Sequence, residues 1–515
     1  MLGEAEVTET ASTAAAGNET STATPLLEAV EAHARSGLIS FHMPGHKAGS
    51  GSWAKLAETW RGGGLAWDLT ELPGLGNLHL HNGPIGEAER LLSDLYGSGE
   101  SFFLVNGSSV GVHILITTTA AGGKIALARN AHLSAYSACV IAGAMPVPVP
   151  VEVDPLSGLP GVARPEVLAG VLDAHPDCQS SMVVSPTFYG ATSDIASLVD
   201  VAHDHGSYLV VDEAHGPHLG LAPGYPAGAL SLGADACVQS PHKVLGSLTQ
   251  TAWLHLSKNV VQNGLSERVR AVIDVLQSTS PSYLLMSSLD MARQLAATTG
   301  RQDWEKAARL SIWAAREMSR VGARIHGYES VTGEDAVPGT WDWSKLTFSL
   351  AGLGWDGLSL AQYLREHAHV QVESADLLNV VAILTPADTE ESVGRMVAGV
   401  RGLAGMEPTP DAKQKVEDGY RMARWLGEIL GKPQPPVMPP REAFFARQRR
   451  RLPLEEAIGH ISGQLLAPYP PGVPVLVWGE EITPEKASVL GTARRYGWDV
   501  FGSGGEWDGT VLVVD

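Results

Sequence analysis

Polar and apolar positions change period along the chain, and the changes mark its organisation. Residues 1–24 carry Ala, Thr, Ser and Glu with almost nothing large. Such a stretch cannot bury enough apolar surface to offset the entropy of ordering, so a disordered tail is expected. Order is expected from Pro25, where Leu26, Leu27, Val30 and His33 suggest an amphipathic helix. From about residue 85 to 260 short apolar runs alternate with helix-length stretches. The runs predict strands at Ser101–Val105, Ile125–Ala128, Ser181–Val184, Tyr208–Val211, Ala236–Gln239 and Thr251–Leu256. Strands spaced in this way need crossover connections, which predicts an α/β domain with a mostly parallel sheet covered on both faces.

A helical stretch is expected over 284–322. Residues 326–431 again mix strands (Lys345–Leu350, Val380–Thr385) with helices and read as a smaller α/β domain. The proline-rich run from Lys432 to Pro440 then opens a C-terminal domain, 432–515. The expected division is therefore a tail (1–24), an N-terminal segment (25–84), a large domain (85–325), a small domain (326–431) and a C-terminal domain. Ligands of open parallel sheets sit beyond the carboxyl ends of the strands. Asn106, Thr187, Asp212 and Lys243 fall there.

Composition narrows the function classes. The 515 residues carry a net charge of −20, which argues against nucleic acid, whose phosphates need clustered Lys and Arg. No apolar run approaches the roughly 20 residues that span a bilayer. The early acids Glu4, Glu6, Glu9 and Glu19, with no basic residue before Arg35, are the wrong charge for a signal or transit peptide. Cys139, Cys178 and Cys237 show no paired spacing, so a reducing, cytoplasmic setting is expected. Four close histidine pairs (His42/His46, His79/His81, His203/His205, His215/His218) lack companions completing a zinc pattern. His203 and His205 are expected to face solvent at a helix end, and no metal is assigned.

Three elements carry chemistry. Lys243, in Ser240-Pro-His-Lys243 just past a strand, can form a Schiff base with an aldehyde cofactor. Asp212 ends the strongly apolar run Tyr208-Leu-Val-Val-Asp212. A carboxylate at such a buried strand end needs a partner, and a protonated ring nitrogen is a good one. Asn106-Gly-Ser-Ser109, between a strand and a helix, presents backbone N–H groups and hydroxyls to an anion. Each alone is common in proteins without a cofactor. Together they serve three parts of one ligand, pyridoxal 5'-phosphate (PLP).

These residues, in this order, resemble the Orn/Lys/Arg decarboxylases of fold type I, especially the shorter bacterial members. The resemblance runs from about Leu38 to Glu480. It is carried by Phe41-His-Met-Pro-Gly-His-Lys47, Asp68-Leu-Thr-Glu-Leu-Pro-Gly74, Ser101-Phe-Phe-Leu-Val-Asn-Gly-Ser-Ser109 and Arg129-Asn-Ala-His132. Further on stand Val211-Asp-Glu-Ala-His-Gly216, Gln239-Ser-Pro-His-Lys243, Leu248-Thr-Gln-Thr251, Ser278-Thr-Ser-Pro-Ser-Tyr283 and Tyr469-Pro-Pro-Gly-Val-Pro474.

The resemblance implies a fold type I PLP-dependent transferase-like fold and decarboxylation of arginine, lysine or ornithine, with arginine or lysine favoured; the reaction class suggests a role in polyamine supply. Lys243 would carry the cofactor, Asp212 would pair with its ring nitrogen, and His132 would stack on the ring. Ser108, Ser109, Ser240 and His242 would hold the phosphate or orient the lysine, with His215 beside them. His242 or Lys243 would return a proton to Cα. Ser278 and Thr279 look like the segment that reaches the phosphate from a neighbouring subunit, which implies a homodimer, or a larger homo-oligomer, with shared active sites. Asp68, Glu71, Glu373 and Asp376 are the candidates for the substrate's distal cation.

The chain departs from the family pattern at Ala131 and Leu133, where Cys and Lys are common, and at Gly76 and Asn77, where acids are. It lacks the receiver-like wing of the long members, so their assembly is not expected. Two alternatives stand beside decarboxylation: another PLP reaction such as transamination or aldol-type cleavage, and a non-catalytic homologue. A transaminase needs an arginine for the substrate carboxylate, and Arg395 and Arg401 fall in a helical pattern. A non-catalytic homologue would typically have lost the lysine.

Overall fold

Seven strands form the central sheet: β1 (Glu100–Leu104), β2 (Lys124–Ala128), β3 (Met145–Val149), β4 (Cys178–Val184), β5 (Tyr208–Asp212), β6 (Ala236–Gln239) and β7 (Ala252–Leu256). The computed structural model describes residues 35–47, 50–54, 58, 67–328, 340–469, 472–502 and 504–514. The expected tail and the helix from Pro25 lie outside the described residues. The chain divides into two compact units, Met1–Ile39 and Ser40–Asp515, and the second holds the central sheet.

Strand order is β1-β7-β6-β5-β4-β2-β3. Pairing is parallel from β3 through β6, while β7 runs antiparallel to both β6 and β1. Six of the seven strands stand where the sequence places them. The seventh, β3, reads Met145-Pro-Val-Pro-Val149, and its two prolines disguise it. It is an edge strand, the one place in a sheet where a missing N–H is tolerated.

Helices α1 (Gly83–Tyr96), α2 (Gly107–Ala120), α3 (Leu133–Ala142), α4 (Pro165–Ala174), α5 (Ile195–Asp204), α6 (Pro241–Val244) and α7 (Leu265–Leu276) accompany the sheet. One apolar cluster joins the sheet to α2, α3 and α7, and a second joins its other face to α4 and α5. Helix α2 has apolar residues on every side and is almost wholly buried, as a helix packed from all directions must be. His203 and His205, at the end of α5, are not simply solvated: they bond Asp235 and Asp173 at 2.9 and 3.1 Å.

The single helical stretch expected over 284–322 is two helices, α8 (Tyr283–Thr298) and α9 (Gly300–Ser319). The break falls at Thr299-Gly300, where glycine's low helix propensity weakens continuity. Beyond them lies a four-stranded antiparallel sheet ordered Ser374–Ala375, Val380–Ile383, Lys345–Ser349 and Arg324–Ile325. Helices α10 (Gly357–His367) and α11 (Glu390–Ala404) accompany it. The C-terminal part contains α12 (Pro410–Gly431), α13 (Pro484–Arg495) and a three-stranded sheet of Arg449–Pro453, Thr510–Val514 and Ile461–Ser462. Among the described residues no helix is long and apolar enough to cross a membrane.

Candidate active site

Parallel strands point their carboxyl ends one way, so the loops after them gather into a cleft. That cleft is lined by Ser108, Asn130, His132, Thr187, Phe188, Asp212, His215 and Lys243, among others. Five of the ten residues assigned from sequence therefore meet in one place. Ser109 and His242 adjoin them in the chain, and Ser240 is the N-cap of the helical turn that carries Lys243. Ser278 and Thr279 are exposed on the turn after α7, and neither lines the cleft.

Lys243 sits in α6, a single helical turn opened by Pro241, rather than in a free loop. Its Nζ lies 2.9 Å from Nε2 of His215. Burial lowers the Lys243 amine to about 8, with Asp212 pulling the other way. Asp212 Oδ1 accepts the Ala214 N–H at 3.1 Å. Burial raises the Asp212 carboxyl above its ordinary range, and the Lys243 charge opposes that rise.

His132 is the N-cap of α3, and its Nδ1 accepts the Ser134 N–H. Burial holds its imidazole at about 4, so it stays neutral. His242 Nδ1 donates to the Thr251 carbonyl at 2.7 Å, which leaves Nε2 as an acceptor. Burial holds this ring, too, at about 4.

The start of α2 is built to receive an anion. Its N-cap residue, Asn106, makes no side-chain cap bond. Asn106 Oδ1 instead accepts the Ser278 N–H at 3.1 Å. The first amides of a helix have no partner within it, so those of Ser108 and Ser109 remain available and carry the positive end of the helix dipole. Gly107 stands at φ +77°, a turn that a β-carbon would strain.

Among the described residues no cluster of His, Cys, Asp or Glu could hold a metal. A phosphorylated aldehyde fits the residues present. The Ser240 hydroxyl is fully buried without a partner, and so is Nδ1 of His215. Buried polar atoms left so are costly unless a ligand satisfies them.

Sequence reasoning gave no site role to Asn130, Phe188, Tyr189 and Val473, which also line the cleft. Asn130 donates to the Gly161 carbonyl and keeps a buried, unpartnered Oδ1. Phe188 packs edge-on to His215, with ring centroids 5.6 Å apart. Tyr189 lines the cleft beside it, and Val473 arrives from the distant Tyr469–Pro474 segment. The motifs holding Asn130 and Val473 are visible in the sequence, but only the fold shows that they face the cleft.

A cleft lysine, a buried strand-end acid and an uncapped helix start on a mostly parallel sheet define a fold type I PLP-dependent enzyme. The family profile for the Orn/Lys/Arg decarboxylase major domain matches residues 24–392, and that for the C-terminal domain matches 424–493. The chain is 33% identical to an arginine decarboxylase of Halalkalibacterium halodurans over 492 residues, 95% of this chain and 97% of that protein. It is 33% identical to an arginine decarboxylase of Bacillus subtilis over 91% of this chain and 93% of that one. The solved structure of lysine decarboxylase A from Pseudomonas aeruginosa superposes with a TM-score of 0.75 at 20% identity, covering 98% of this chain and 82% of that one. The chain belongs to the Orn/Lys/Arg decarboxylase family and is a PLP-dependent decarboxylase.

Proposed function

We propose that this chain removes the α-carboxylate of a basic amino acid as CO2 and releases the amine, with arginine placed first among arginine, lysine and ornithine. The observation that carries the reading is the meeting of Lys243, Asp212, His132 and Ser108 in one cleft. Arginine leads because relatives 33% identical over nearly the whole chain bear the name arginine decarboxylase.

Lys243 would hold the PLP aldehyde, and Asp212 would keep the ring nitrogen protonated by a buried ion pair. The amides of Ser108 and Ser109 and the hydroxyl of Ser240 would hold the phosphate. His132, kept neutral, would lie against the ring without adding a repelling charge. When bound, PLP supplies an electron-withdrawing ring that takes the electron pair left by departing CO2. Of the two candidate acids for Cα, Lys243 lines the cleft and His242 does not, which favours Lys243 as the donor.

Glu373 is the best candidate for the distal cation. Its Oε2 accepts the Met43 N–H at 2.9 Å, and its charge raises the Lys243 amine. Asp376 Oδ1 is committed to the Leu378 and Asn379 amides, and Asp68 and Glu71 are exposed.

We further place the enzyme as a cytoplasmic homodimer in polyamine supply, with the domain divisions expected from sequence. Exposed Leu80 (68%) and Val275 (79%) support a second copy, since each adjoins a residue joined by the His79–Asp274 bond near Ser278. A transaminase reading finds no support at the arginines considered. Arg395 and Arg401 belong to α11, and Arg401 bonds Glu317.

The test is incubation of purified protein and PLP with each of the three amino acids, measuring CO2 and agmatine, cadaverine or putrescine. Release from arginine alone, or fastest from it, supports the reading. Release from none of them would sink it.

A further inference from the structure

A row of buried polar side chains crosses four strands beneath the cleft. Glu213 follows Asp212 at the end of β5, Gln239 precedes Ser240 at the end of β6, His255 lies on β7 and Ser101 on β1. Each is at most 2% exposed. Tyr96 of α1 packs on the His255 ring, with centroids 4.8 Å apart, and donates to the Pro217 carbonyl.

The hydrogen bonds run in one direction. The Ser101 hydroxyl donates to His255 Nδ1 at 2.8 Å. His255 Nε2 donates to Gln239 Oε1 at 3.1 Å. Gln239 Nε2 donates to Glu213 Oε2 at 2.7 Å, and the Ala229 N–H donates to Oε1 at 2.8 Å. Burial keeps His255 neutral, so its ring has a single N–H and the order cannot reverse piecemeal. Above about pH 7, where Glu213 is ionised, its carboxylate is a terminus that lets every member of the chain be satisfied.

The chain ties together the two strand ends that bear the cleft residues. Backbone bonds from Glu213 N to Val238 O (2.9 Å) and from Ser240 N to Ala214 O (3.2 Å) flank the Glu213–Gln239 contact. We propose that Glu213 is a positioning residue for the cofactor site: its carboxylate, as terminus of the donor chain, sets the offset between the strand ends that carry Asp212 and Lys243. The inference rests on the cofactor reading above.

The donor order makes a specific rescue available. Glu213→Gln keeps the shape but turns an amide N–H toward the Gln239 amide, which forces the chain to flip. Adding Gln239→Glu restores the order, because the amide introduced at position 213 would then donate to a carboxylate that also accepts from His255. Glu213→Gln is expected to bind PLP about tenfold more weakly than wild type, and the double variant to return to within about threefold. PLP affinity of Glu213→Gln within about threefold of wild type, or a double variant no better than the single, overturns the proposal. If Glu213→Gln is insoluble, the double variant decides by the same threefold limit.

Amide hydrogen exchange in the PLP-free proteins separates this inference from the cofactor reading. Peptides spanning 209–216 and 236–244 should exchange faster in Glu213→Gln and recover in the double variant. A wild-type protein that takes up no PLP sinks the cofactor reading; unchanged exchange sinks the positioning role.

Discussion

The Lys243 amine lies 2.9 Å from Nε2 of His215, and the contact fixes where both groups keep their protons. Burial and the Lys243 charge hold the His215 imidazole well below its ordinary value, so it stays neutral. While Lys243 is protonated it donates to Nε2, which places the His215 proton on Nδ1. The lysine therefore rests against an acceptor rather than a carboxylate, and is released more easily for covalent chemistry than from an ion pair.

The first expectation concerns pH. A solvated lysine titrates near 10.5, and burial brings Lys243 to about 8. The amine is charged below that value and nucleophilic above it. Capture of PLP by cofactor-free protein should accelerate as pH rises through about 8 and then level off. A stopped-flow absorbance series checks this, and a rate still climbing steeply at pH 10 would contradict it.

Removing either anchor of the cofactor should separate tethering from electronics. Lys243→Ala should lose the absorbance of covalently bound PLP and fall at least about 1,000-fold in kcat. Asp212→Asn should keep the covalent absorbance while losing about 100- to 1,000-fold, because an amide cannot hold the ring nitrogen protonated. Full turnover in Lys243→Ala would show the assignment to be wrong.

A buried cluster fastens the distant segment that brings Val473 to the cleft. Arg129 Nη1 donates to the Pro474 carbonyl at 2.6 Å, and Nη2 to Val475 at 3.3 Å. Glu480 lies 3.4 Å from Arg129 and 2.9 Å from Lys486, and all three are nearly inaccessible. Arg129→Ala leaves a buried carboxylate short of a partner and two carbonyls without donors, so a loss of about 3 kcal/mol or more is expected in denaturant unfolding. Arg129→Lys should recover only part of it, since an ammonium lacks the fork that spans two carbonyls.

Much of this architecture was legible because its signals are local. An apolar run ending in Asp212 reads as a strand with a buried acid, and Ser240-Pro-His-Lys243 follows the next strand. Strand β3 was hidden because prolines argue against a strand everywhere except at an edge, and edges are known only once strand order is known. The same limit hid the polar row. Glu213, Gln239, His255 and Ser101 are neighbours only because β7 inserts between β6 and β1, an order that no local pattern states. Asn106 shows a subtler case. Its residue type suits an N-cap, yet its side chain serves Ser278 and leaves the helix start open.

Glu213 also makes stability depend on pH. Burial pushes its carboxyl from an ordinary 4.5 to about 7, opposed by the bonds from Gln239 and Ala229. The groups facing it bring no cation. Burial drives Tyr96 on α1 and Cys237 on β6 up, and it drives His255 on β7 down to about 3, so all three stay neutral. Between pH 4.5 and 7 the folded protein therefore keeps a proton that the unfolded chain has released. This contribution to stability is full below 4.5, declines as pH rises through 7 and is flat above. A raised value of this size corresponds to roughly 3 kcal/mol. The difference in unfolding free energy between wild type and Glu213→Gln, both free of PLP, should change by that order between about pH 4.5 and 8. A pH-independent difference would mean that Glu213 titrates like a solvated acid, and that its burial beneath Asp212 and Lys243 costs the fold nothing.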